Sequence, residues 1–228
     1  MLNTVYQLVR PRQFEVVFKD ITMDDKHVIV HPTHLSICNA DQRYYQGLRA
    51  EAVLKKKLPM ALIHEGIGRV IYDPTGHFEQ GTLVVMIPNT PVEQDEIIAE
   101  NYLRSSKFRA SGFDGFMQEY VSMEPDRLVV LPEDINLSVA AFTEIVSVSY
   151  HAIQRFLRFS HERRNVIGVW GDGNLGYITS LLLKTILPDT RICVFGVNEY
   201  KLHDFSFADD TYLISDIPDD LHLDHAFE

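Results

Sequence analysis

The sequence predicts an α/β protein made of two parts that differ in fold class. Residues 1–140 contain short apolar runs bounded by Gly, Asp and Pro, which is typical of strands joined by turns. Residues 141–228 alternate strand and helix patterns, and a glycine-rich turn follows the first of those strands. We therefore expect a β-rich first domain in 1–140, followed in 141–228 by a parallel-sheet α/β domain.

The strands of the first part are predicted from apolar runs in strand register. In the run 115–123, Phe116 and Tyr120 are expected on one strand face. One stretch differs, because 91–106 is acidic and favours helix, and we interpret it as a surface lobe. The predicted strands are HVIVHPTHLSIC, GIGRVIYD, GTLVVMIP, GFMQEYVSM and RLVVLP.

The second part begins with a helix, for which Ser138 is the expected N-cap. Apolar residues at a spacing of three to four then continue the helix through IVSVSYHAIQRFLRF. A strand NVIGVW, a helix YITSLLLKTIL that ends at Pro188, and a strand RICVFG form a βαβ unit, so the sheet is expected to be parallel. TYLISD and DHAFE are predicted to begin further short strands.

Charge and composition exclude several classes of function. A formal net charge of −11 argues against a nucleic-acid or anionic-membrane partner. No apolar run approaches the roughly 20 residues that span a bilayer, and the N-terminus lacks the apolar region of a secretory signal. The only cysteines, Cys38 and Cys193, form no disulfide framework. A reducing cytoplasm is the expected location.

A glycine loop indicates dinucleotide binding. Gly171, Gly173 and Gly176 have the G-x-G-x-x-G spacing, after a predicted strand and before a predicted helix. The first glycine permits a tight turn, the second lets backbone amides approach a pyrophosphate, and the third lets helix and strand pack closely. Asn174 and Leu175 complete the loop at the helix N-terminus, whose partial positive charge suits phosphate.

The end of the next strand favours NADP(H). An NAD site usually places an acid there to bind the ribose 2′-hydroxyl, but this strand ends at Gly196. A missing carboxylate removes the repulsion of a 2′-phosphate, and Lys201 could supply a cation. Glu199 is the counter-argument, since a shift of register would let it act as the acid.

Cys38, His64 and Glu65 form a mixed sulfur, nitrogen and oxygen set that suits a catalytic zinc with an exchangeable position. Two cysteines cannot form a four-cysteine structural site. Each residue also has an ordinary explanation, because a lone cysteine or histidine is commonly part of a core. Sequence spacing alone leaves both interpretations open.

The order of ICNAD, IHEGIGRV, GFDGF, TEIVSVSYHA and the glycine loop resembles the zinc-dependent medium-chain alcohol/polyol dehydrogenase family over essentially the whole chain. The resemblance implies a GroES-like catalytic zinc domain over 1–140, followed over 141–228 by the N-terminal part of a Rossmann NADP-binding domain, whose remaining strands are expected beyond residue 228. It implies metal ligation by Cys38 and His64, with Glu65 and Glu144 as carboxylates at the metal. Asp41 matches the acid that would orient His64 and fix its tautomer. Cys193 is interpreted as core.

Within that family, VYQLVRPRQFEV, ICNADQRYYQG, KLPMALIHEG and GVWGDGNLGYIT resemble the bacterial ribulose-5-phosphate reductases, also called ribitol-5-phosphate 2-dehydrogenases. That group implies a Zn²⁺-dependent reduction of D-ribulose 5-phosphate to D-ribitol 5-phosphate by NADPH, for CDP-ribitol and teichoic acid or capsule synthesis. The implied partners are a phosphorylated pentulose substrate, a second copy in a homodimer and a ribitol-5-phosphate cytidylyltransferase.

Two questions stay open at the substrate end. Ala40 stands where many relatives carry a proton-relaying Ser or Thr, so a zinc-bound water or a carboxylate such as Glu65 or Glu144 must deliver the proton. The substrate phosphate needs a cation, for which Arg43 is the first candidate and a structural role is the equal alternative. Arg49, the run Lys55–Lys57, Lys107 and Arg109 are further candidates, although the lysine run is also typical of a solvated face.

Two alternative functions remain. The first is another zinc polyol or alcohol dehydrogenase of the same family with an unphosphorylated substrate. The second is a catalytically inactive dinucleotide-binding module. Such a module would be expected to lack one of Cys38, His64 or Glu144, whereas this sequence has all of them.

Overall fold

The computed structural model describes residues 1–99 and 102–228. The chain divides into two compact units, Met1–Glu144 and Ile145–Glu228, and each is considered by itself. The boundary between the GroES-like and Rossmann domains was expected from the sequence between residues 140 and 141. None of the helices in the described ranges is both long and apolar enough to cross a membrane.

The first unit is mostly antiparallel sheet. Its elements are β1 (Leu2–Arg10), β2 (Gln13–Asp20), β3 (Val28–Ser36), α1 (Asn39–Tyr45), α2 (Glu51–Lys57), β4 (Met60–Ala61), β5 (Glu65–Tyr72), β6 (Leu83–Met86), β7 (Asn89–Thr90), β8 (Lys107–Phe108), β9 (Val121–Met123), β10 (Leu128–Val130) and α3 (Leu137–Ala140). A three-stranded sheet has the order β2-β1-β4, and a five-stranded sheet has the order β10-β6-β5-β3-β9. Strands β7 and β8 form a separate pair.

The core of the first unit lies between these sheets and the segment around α1. Leu8, Val30, Met60 and Phe116 are among its fully buried side chains. Strand β6 is buried throughout. A continuous apolar run predicts a strand such as β6 because both faces of that strand are covered.

The second unit is a parallel sheet with helices, which confirms the predicted α/β class. Helix α4 (Thr143–Phe159) begins just before the unit boundary. The other elements are β11 (Val166–Trp170), α5 (Asn174–Ile186), β12 (Arg191–Gly196), α6 (Glu199–Leu202), β13 (Asp210–Leu213) and β14 (His225–Phe227). The sheet order is β13-β12-β11-β14, and every pairing is parallel.

The core of the second unit is continuous from sheet to helix. Ile167 and Val169 of β11 and Ile192 of β12 are buried against Leu183 of α5. Helix α5 is therefore held by its apolar face on the sheet, as the glycine turn and the helical spacing predict.

Two local predictions are wrong. Ser138 is not the N-cap, because the Asn136 side chain accepts hydrogen bonds from the backbone N–H of Ser138 at 3.0 Å and of Val139 at 3.2 Å. Asparagine caps a helix as well as serine does, so the helix begins two residues earlier, at Leu137. A separate helix, α4, then starts at Thr143.

The predicted strand 115–123 shortens to Val121–Met123. The backbone N–H of Gly115 instead donates to Ala61 O at 2.8 Å, and that of Phe116 donates to Ile63 O at 2.6 Å. This segment therefore supports residues 61–63, and Phe116 is buried while Tyr120 is half-buried.

The acidic stretch 91–106 is largely exposed, with no helix of four residues or more in its described part. Residues 100 and 101 of the predicted lobe lie outside the described ranges. The helix-favouring composition is not sufficient here, because isolated short helices are marginal without an apolar face to bury.

Asp114 links three strands of the first unit. Its carboxylate accepts hydrogen bonds from the Gln7 side chain at 2.8 Å and from the backbone N–H of Ala61 at 2.8 Å, and it pairs with Lys19. Burial raises the pKa of this carboxyl, but the bonds from Lys19, Ala61 and Gln7 outweigh it and hold the pKa below its usual value. Asp114 therefore acts as an ionised cross-link of β1, β2 and β4.

We expect Asp114→Ala to lower the free energy of unfolding by about 2–3 kcal/mol near neutral pH, because charge-assisted bonds to partly buried donors are lost. The control is Asp126→Ala, since Asp126 is exposed and pairs with Arg127 at the surface. Chemical denaturation followed by circular dichroism measures both variants.

The pH dependence has a definite sign. Because the folded pKa of Asp114 is lowered, its stabilisation is present above the ordinary aspartate pKa and is lost as the pH falls through the folded value. The difference between wild type and Asp114→Ala should therefore shrink in acid. Equal unfolding midpoints for Asp114→Ala and Asp126→Ala at neutral pH would contradict the cross-link.

Candidate metal and cofactor sites

Strand pairing brings Cys38 and His64 together. Strands β3 and β5 are antiparallel neighbours whose register pairs Ser36 with Glu65. Cys38 lies two residues beyond the end of β3, and His64 lies one residue before the start of β5. Residues distant in sequence therefore meet at one end of the five-stranded sheet.

The side chains of Cys38, His64 and Glu65 converge on one point. Cys38 Sγ is 3.6 Å from His64 Nε2, and His64 Nε2 is 3.9 Å from Glu65 Oε1. One ligand atom from each residue lies within 4.8 Å of the other two. A tetrahedral zinc with bonds of about 2.0–2.3 Å places its ligand atoms roughly 3–4 Å apart, so the spacing fits such an ion.

Asp41 supports this cluster through hydrogen bonds to the backbone, which the sequence did not reveal. Its Oδ1 accepts a hydrogen bond from the backbone N–H of Ile63 at 2.8 Å, and its Oδ2 accepts one from the backbone N–H of Cys38 at 3.2 Å. The Cys38 thiol also donates to Oδ2 at 3.2 Å. Within the described residues, Asp41 thus acts on the backbone beside His64 rather than on its ring.

His64 is fixed from two further sides. Ile63, the residue before it, has a φ of +70°, a left-handed conformation that β-branched residues rarely adopt. The Phe108 ring packs edge-on against the His64 ring, with centroids 5.1 Å apart. The backbone direction and the ring position of His64 are therefore both constrained, and Phe108 is a contributor that the sequence analysis missed.

The charge environment of the cluster calls for a cation. Burial raises the pKa of the Cys38 thiol to about 12. Burial, followed by the charges of Glu65 and Asp41, raises the pKa of Glu144 to about 7. Burial also raises the pKa of Glu65, whose Oε2 is buried without a hydrogen-bond partner. Repulsion among these acidic groups opposes their deprotonation, and a bound divalent cation would favour their deprotonated forms.

The glycine loop has the shape expected for phosphate binding. Gly171 has a φ of +135°, which glycine adopts readily. A Cβ at Gly176 would lie 2.0 Å from Gly171 O, so no side chain fits there, whereas the space beside Gly173 is open. Asn174 and Leu175 form the first turn of the thirteen-residue α5. Its N-terminal amides can bind an anion.

The end of β12 differs from the simplest expectation. A Cβ at Gly196 would lie 2.7 Å from Asp172 Cβ, so close packing alone requires glycine there. Lys201 lies in α6, and its charge helps to lower the pKa of Asp172. Glu199 opens α6 and is exposed. The sequence predicted no acid at the end of β12. Asp172, a loop residue that the sequence analysis did not single out, nevertheless lies next to Gly196 there.

The candidate phosphate-binding cations differ in their surroundings. Arg43 lies exposed in the last turn of α1 and donates to Leu48 O at 3.5 Å. Arg109 donates to the backbone carbonyls of Ser122 at 2.7 Å and of Asp114 at 3.4 Å, which is a structural role. Lys107 lies over the Phe113 ring at 5.7 Å. The Lys55–Lys57 run ends α2, where Lys55 pairs with Glu51. Arg49 packs over Tyr44 at 4.9 Å.

Comparison with known proteins decides the family. Residues 24–133 match the alcohol dehydrogenase GroES-like domain. The ribulose-5-phosphate reductase of Bacillus spizizenii is 61% identical over 228 residues, which is 100% of this chain and 67% of that protein. The ribulose-5-phosphate reductase 2 of Staphylococcus aureus is 60% identical over the same shares. The chain belongs to the medium-chain alcohol dehydrogenase family.

The solved structures agree with this family and confirm the GroES-like and Rossmann architecture. The crystal structure of S. aureus TarJ in complex with NADPH has a TM-score of 0.82 and 50% identity, and it covers 99% of this chain and 64% of that chain. L-idonate 5-dehydrogenase from Escherichia coli has a TM-score of 0.85 at 22% identity, which supports the fold alone. This medium-chain dehydrogenase chain thus spans about two thirds of the length of its relatives.

The pKa of Cys38 gives a test of metal binding. A thiol with a pKa of about 12 is protonated at neutral pH, but a metal binds the thiolate. We expect Zn²⁺ added to metal-free protein to release at least about one proton, with affinity that rises about tenfold per pH unit near neutrality. Calorimetry in buffers of different ionisation enthalpy measures the protons released.

The two cysteines provide matched variants. Cys38→Ala should abolish proton-coupled zinc binding, whereas Cys193→Ala should leave it intact, because Cys193 is buried in β12 of the second unit. Zinc binding that is independent of pH, or equally weakened by both substitutions, would contradict the assignment.

Proposed function

We propose that the full-length protein reduces D-ribulose 5-phosphate to D-ribitol 5-phosphate with NADPH, at a Zn²⁺ ion held by Cys38, His64 and the carboxylates of Glu65 and Glu144. The observation that carries this proposal is the convergence of Cys38, His64 and Glu65 within 4.8 Å. It occurs in a chain that is 61% identical to a ribulose-5-phosphate reductase. An inactive binding module would have no use for a buried, convergent ligand set.

The residues of the cluster have different roles, since some would hold the metal and Asp41 supports the backbone beside it. A zinc ion, when bound, supplies Lewis acidity that polarises a ketone oxygen. Cys38 and His64 would hold the ion from the same end of the β3–β5 pair, and Glu65 would add a carboxylate from the first residue of β5. Asp41 fixes the backbone of Cys38 and Ile63. The site is thereby held before any ligand arrives, which reduces reorganisation during the reaction.

Glu144 is suited to hold a proton. Its pKa of about 7, raised by burial and then by Glu65 and Asp41, leaves the carboxyl part-protonated at neutral pH in the metal-free protein. Ala40 offers no hydroxyl for a relay, so a carboxyl group close to Glu65 is the natural proton carrier. The product alkoxide has to gain one proton, and Glu144 would supply it, directly or through water, in the protonated form that it holds when it is not bound to the metal.

The second unit is proposed to bind NADP(H). The glycine loop Gly171–Gly176 and the N-terminus of α5 suit the pyrophosphate, and Lys201 near Gly196 suits a 2′-phosphate. The relative TarJ of S. aureus was crystallised with NADPH. The proposed choice of NADPH over NADH rests on Lys201, a cation in the short helix α6 that follows β12.

The biological setting follows from the product. Ribitol 5-phosphate would be activated to CDP-ribitol for teichoic acid or capsule synthesis, so a ribitol-5-phosphate cytidylyltransferase is the proposed functional partner. We further propose a cytoplasmic homodimer that has neither nucleic acid nor membrane as a partner. The net charge of −11 supports the last point, because anionic polymers and surfaces would be repelled.

The direct test is NADPH oxidation by the zinc-loaded full-length protein with D-ribulose 5-phosphate. We expect His64→Ala to lower kcat/KM by at least about 100-fold, because loss of a ligand exceeds the 10- to 100-fold effect of losing its support. His77→Ala is the control, since His77 is an exposed loop residue bonded to Thr75. Faster turnover of unphosphorylated ketoses would instead favour another polyol dehydrogenase activity.

The phosphate contact is tested at Arg43. Ribulose 5-phosphate carries close to two negative charges, and a guanidinium can bind its oxygens through two parallel hydrogen bonds. We expect Arg43→Ala to raise KM so that kcat/KM falls roughly 30- to 150-fold for the phosphorylated ketose, with zinc content unchanged.

Lys55→Ala is the matched control, because Lys55 is also exposed and is paired with Glu51. Unphosphorylated ribulose should be a poor substrate of both variants and of the wild type. An equal loss on both sugars would mean that Arg43 is structural, and Lys107 would then be the next candidate.

A further inference from the structure

One carboxylate joins the glycine loop to the turn after β12. Asp172, between Gly171 and Gly173, uses Oδ2 to accept hydrogen bonds from the backbone N–H of Val197 at 2.9 Å and of Asn198 at 2.7 Å. The side-chain amide of Asn198 donates to the same oxygen at 2.9 Å. A single oxygen thus binds the donors of a turn that lies 25 residues further along the chain.

This carboxylate is ionised in the working range of an enzyme. Burial raises the pKa of Asp172, but the hydrogen bonds from Asn198 and Val197 and the charge of Lys201 outweigh burial and lower it below its usual value. A charged acceptor makes each bond stronger than a neutral one would be. The turn after β12 is therefore tied to the loop through a permanent charge.

The fit around this tie is close. A Cβ at Gly196 would lie 2.7 Å from Asp172 Cβ and 2.9 Å from Leu202 Cδ2. The backbone N–H of Gly171 also donates to Phe195 O at 2.8 Å. Two loops at the carboxyl ends of β11 and β12 are thus locked together, and glycine at 196 is the residue that lets Asp172 approach.

The locked loops border a cavity. It has a volume of about 540 Å³, and Asp172, Gly173 and Asn174 line one part of it while Tyr200, Lys201 and Asp204 line another. Lys201 belongs to α6, whose N-cap is Asn198, a residue that Asp172 holds. The position of the cation at this cavity consequently depends on the bonds of Asp172.

The geometry points to Asp172 as a positioning residue that selects NADP(H) over NAD(H), an inference that rests on the proposed cofactor. Asp172 does not bind the 2′-phosphate, since both are negative. It holds the 196–201 turn so that Lys201 stands at the cavity, and three N–H donors on Oδ2 reduce the negative field of the carboxylate. Asp172 belongs to the glycine loop but lies beside the end of β12, and its Oδ2 binds N–H donors of Val197 and Asn198.

The test compares ligands that differ in the 2′-phosphate. Calorimetric titration of the full-length protein with 2′,5′-ADP and with 5′-AMP, supported by NADPH and NADH titrations, isolates that group. We expect Asp172→Asn to weaken 2′,5′-ADP about tenfold or more, because an amide replaces a charged acceptor and Lys201 loses its place. Binding of 5′-AMP should change by less than about threefold.

Two further variants separate charge from position. Asp204→Asn removes one negative charge from the same cavity without touching the tie, and it should not weaken 2′,5′-ADP. In Gly196→Ala the added Cβ would lie 2.7 Å from Asp172 Cβ and displace Asp172. This variant should therefore lower the ratio of NADPH to NADH affinity, as Asp172→Asn does. Thermal melts of all variants record whether the fold is kept.

The outcomes are distinct. If Asp172→Asn weakens 2′,5′-ADP and 5′-AMP equally, or strengthens 2′,5′-ADP, the positioning role is wrong, while the proposed function stands. If the wild type binds NADH as well as NADPH, the proposed cofactor preference itself fails, and the inference fails with it. If Asp172→Asn does not fold, an unchanged ratio of NADPH to NADH affinity in Gly196→Ala overturns the inference.

Discussion

The candidate metal site depends on the hydrogen bonds of Asp41, a side chain that is only 3% exposed. Oδ1 binds the backbone N–H of Ile63, and Oδ2 binds the backbone N–H of Cys38. A left-handed conformation costs a residue such as Ile63 about 1–2 kcal/mol. A hydrogen bond to a charged acceptor contributes about 1.5–3 kcal/mol, which is enough to offset that strain. The same carboxylate therefore sets where β5 and α1 begin, and His64 and Cys38 lie one residue before these two starts.

The support of Ile63 continues on its carbonyl side. Ile63 O accepts the N–H of Phe116 at 2.6 Å, and a Cβ at Gly115 would lie 2.2 Å from the same oxygen. The residue before the candidate ligand His64 is thus held through both its N–H and its C=O. This explains why 115–117 does not form the predicted strand, since its amides serve the 61–63 segment instead. Prediction from alternation failed here because the hydrogen-bond partners of 115–117 are distant in sequence, as Ala61 and Asp114 are.

Local patterns predicted the parts of the molecule that local physics determines. The glycine loop was found because strand, turn and helix are consecutive, and each glycine has a steric reason within that unit. The convergence of Cys38 and His64 was inferred from resemblance, because a spacing of 26 residues carries no geometric information by itself. The register that pairs Ser36 with Glu65 supplies the missing physical link. The roles of Asp41 and Asp172 could not be read from sequence, because each acts on the backbone of a distant loop.

In both candidate sites a carboxylate accepts hydrogen bonds from backbone amides of a distant loop. These bonds help to explain how an acidic protein can bind an anion. Asp41 binds two backbone amides, and one oxygen of Asp172 binds two backbone amides and a side-chain amide. An acid in such a position faces N–H dipoles, so its field at a neighbouring ligand is reduced. The acids left with raised pKa values, Glu65 and Glu144, are those beside the proposed cation. Backbone amides therefore compensate Asp172 where an anionic ligand is proposed, whereas Glu65 and Glu144 keep raised pKa values where a metal is proposed.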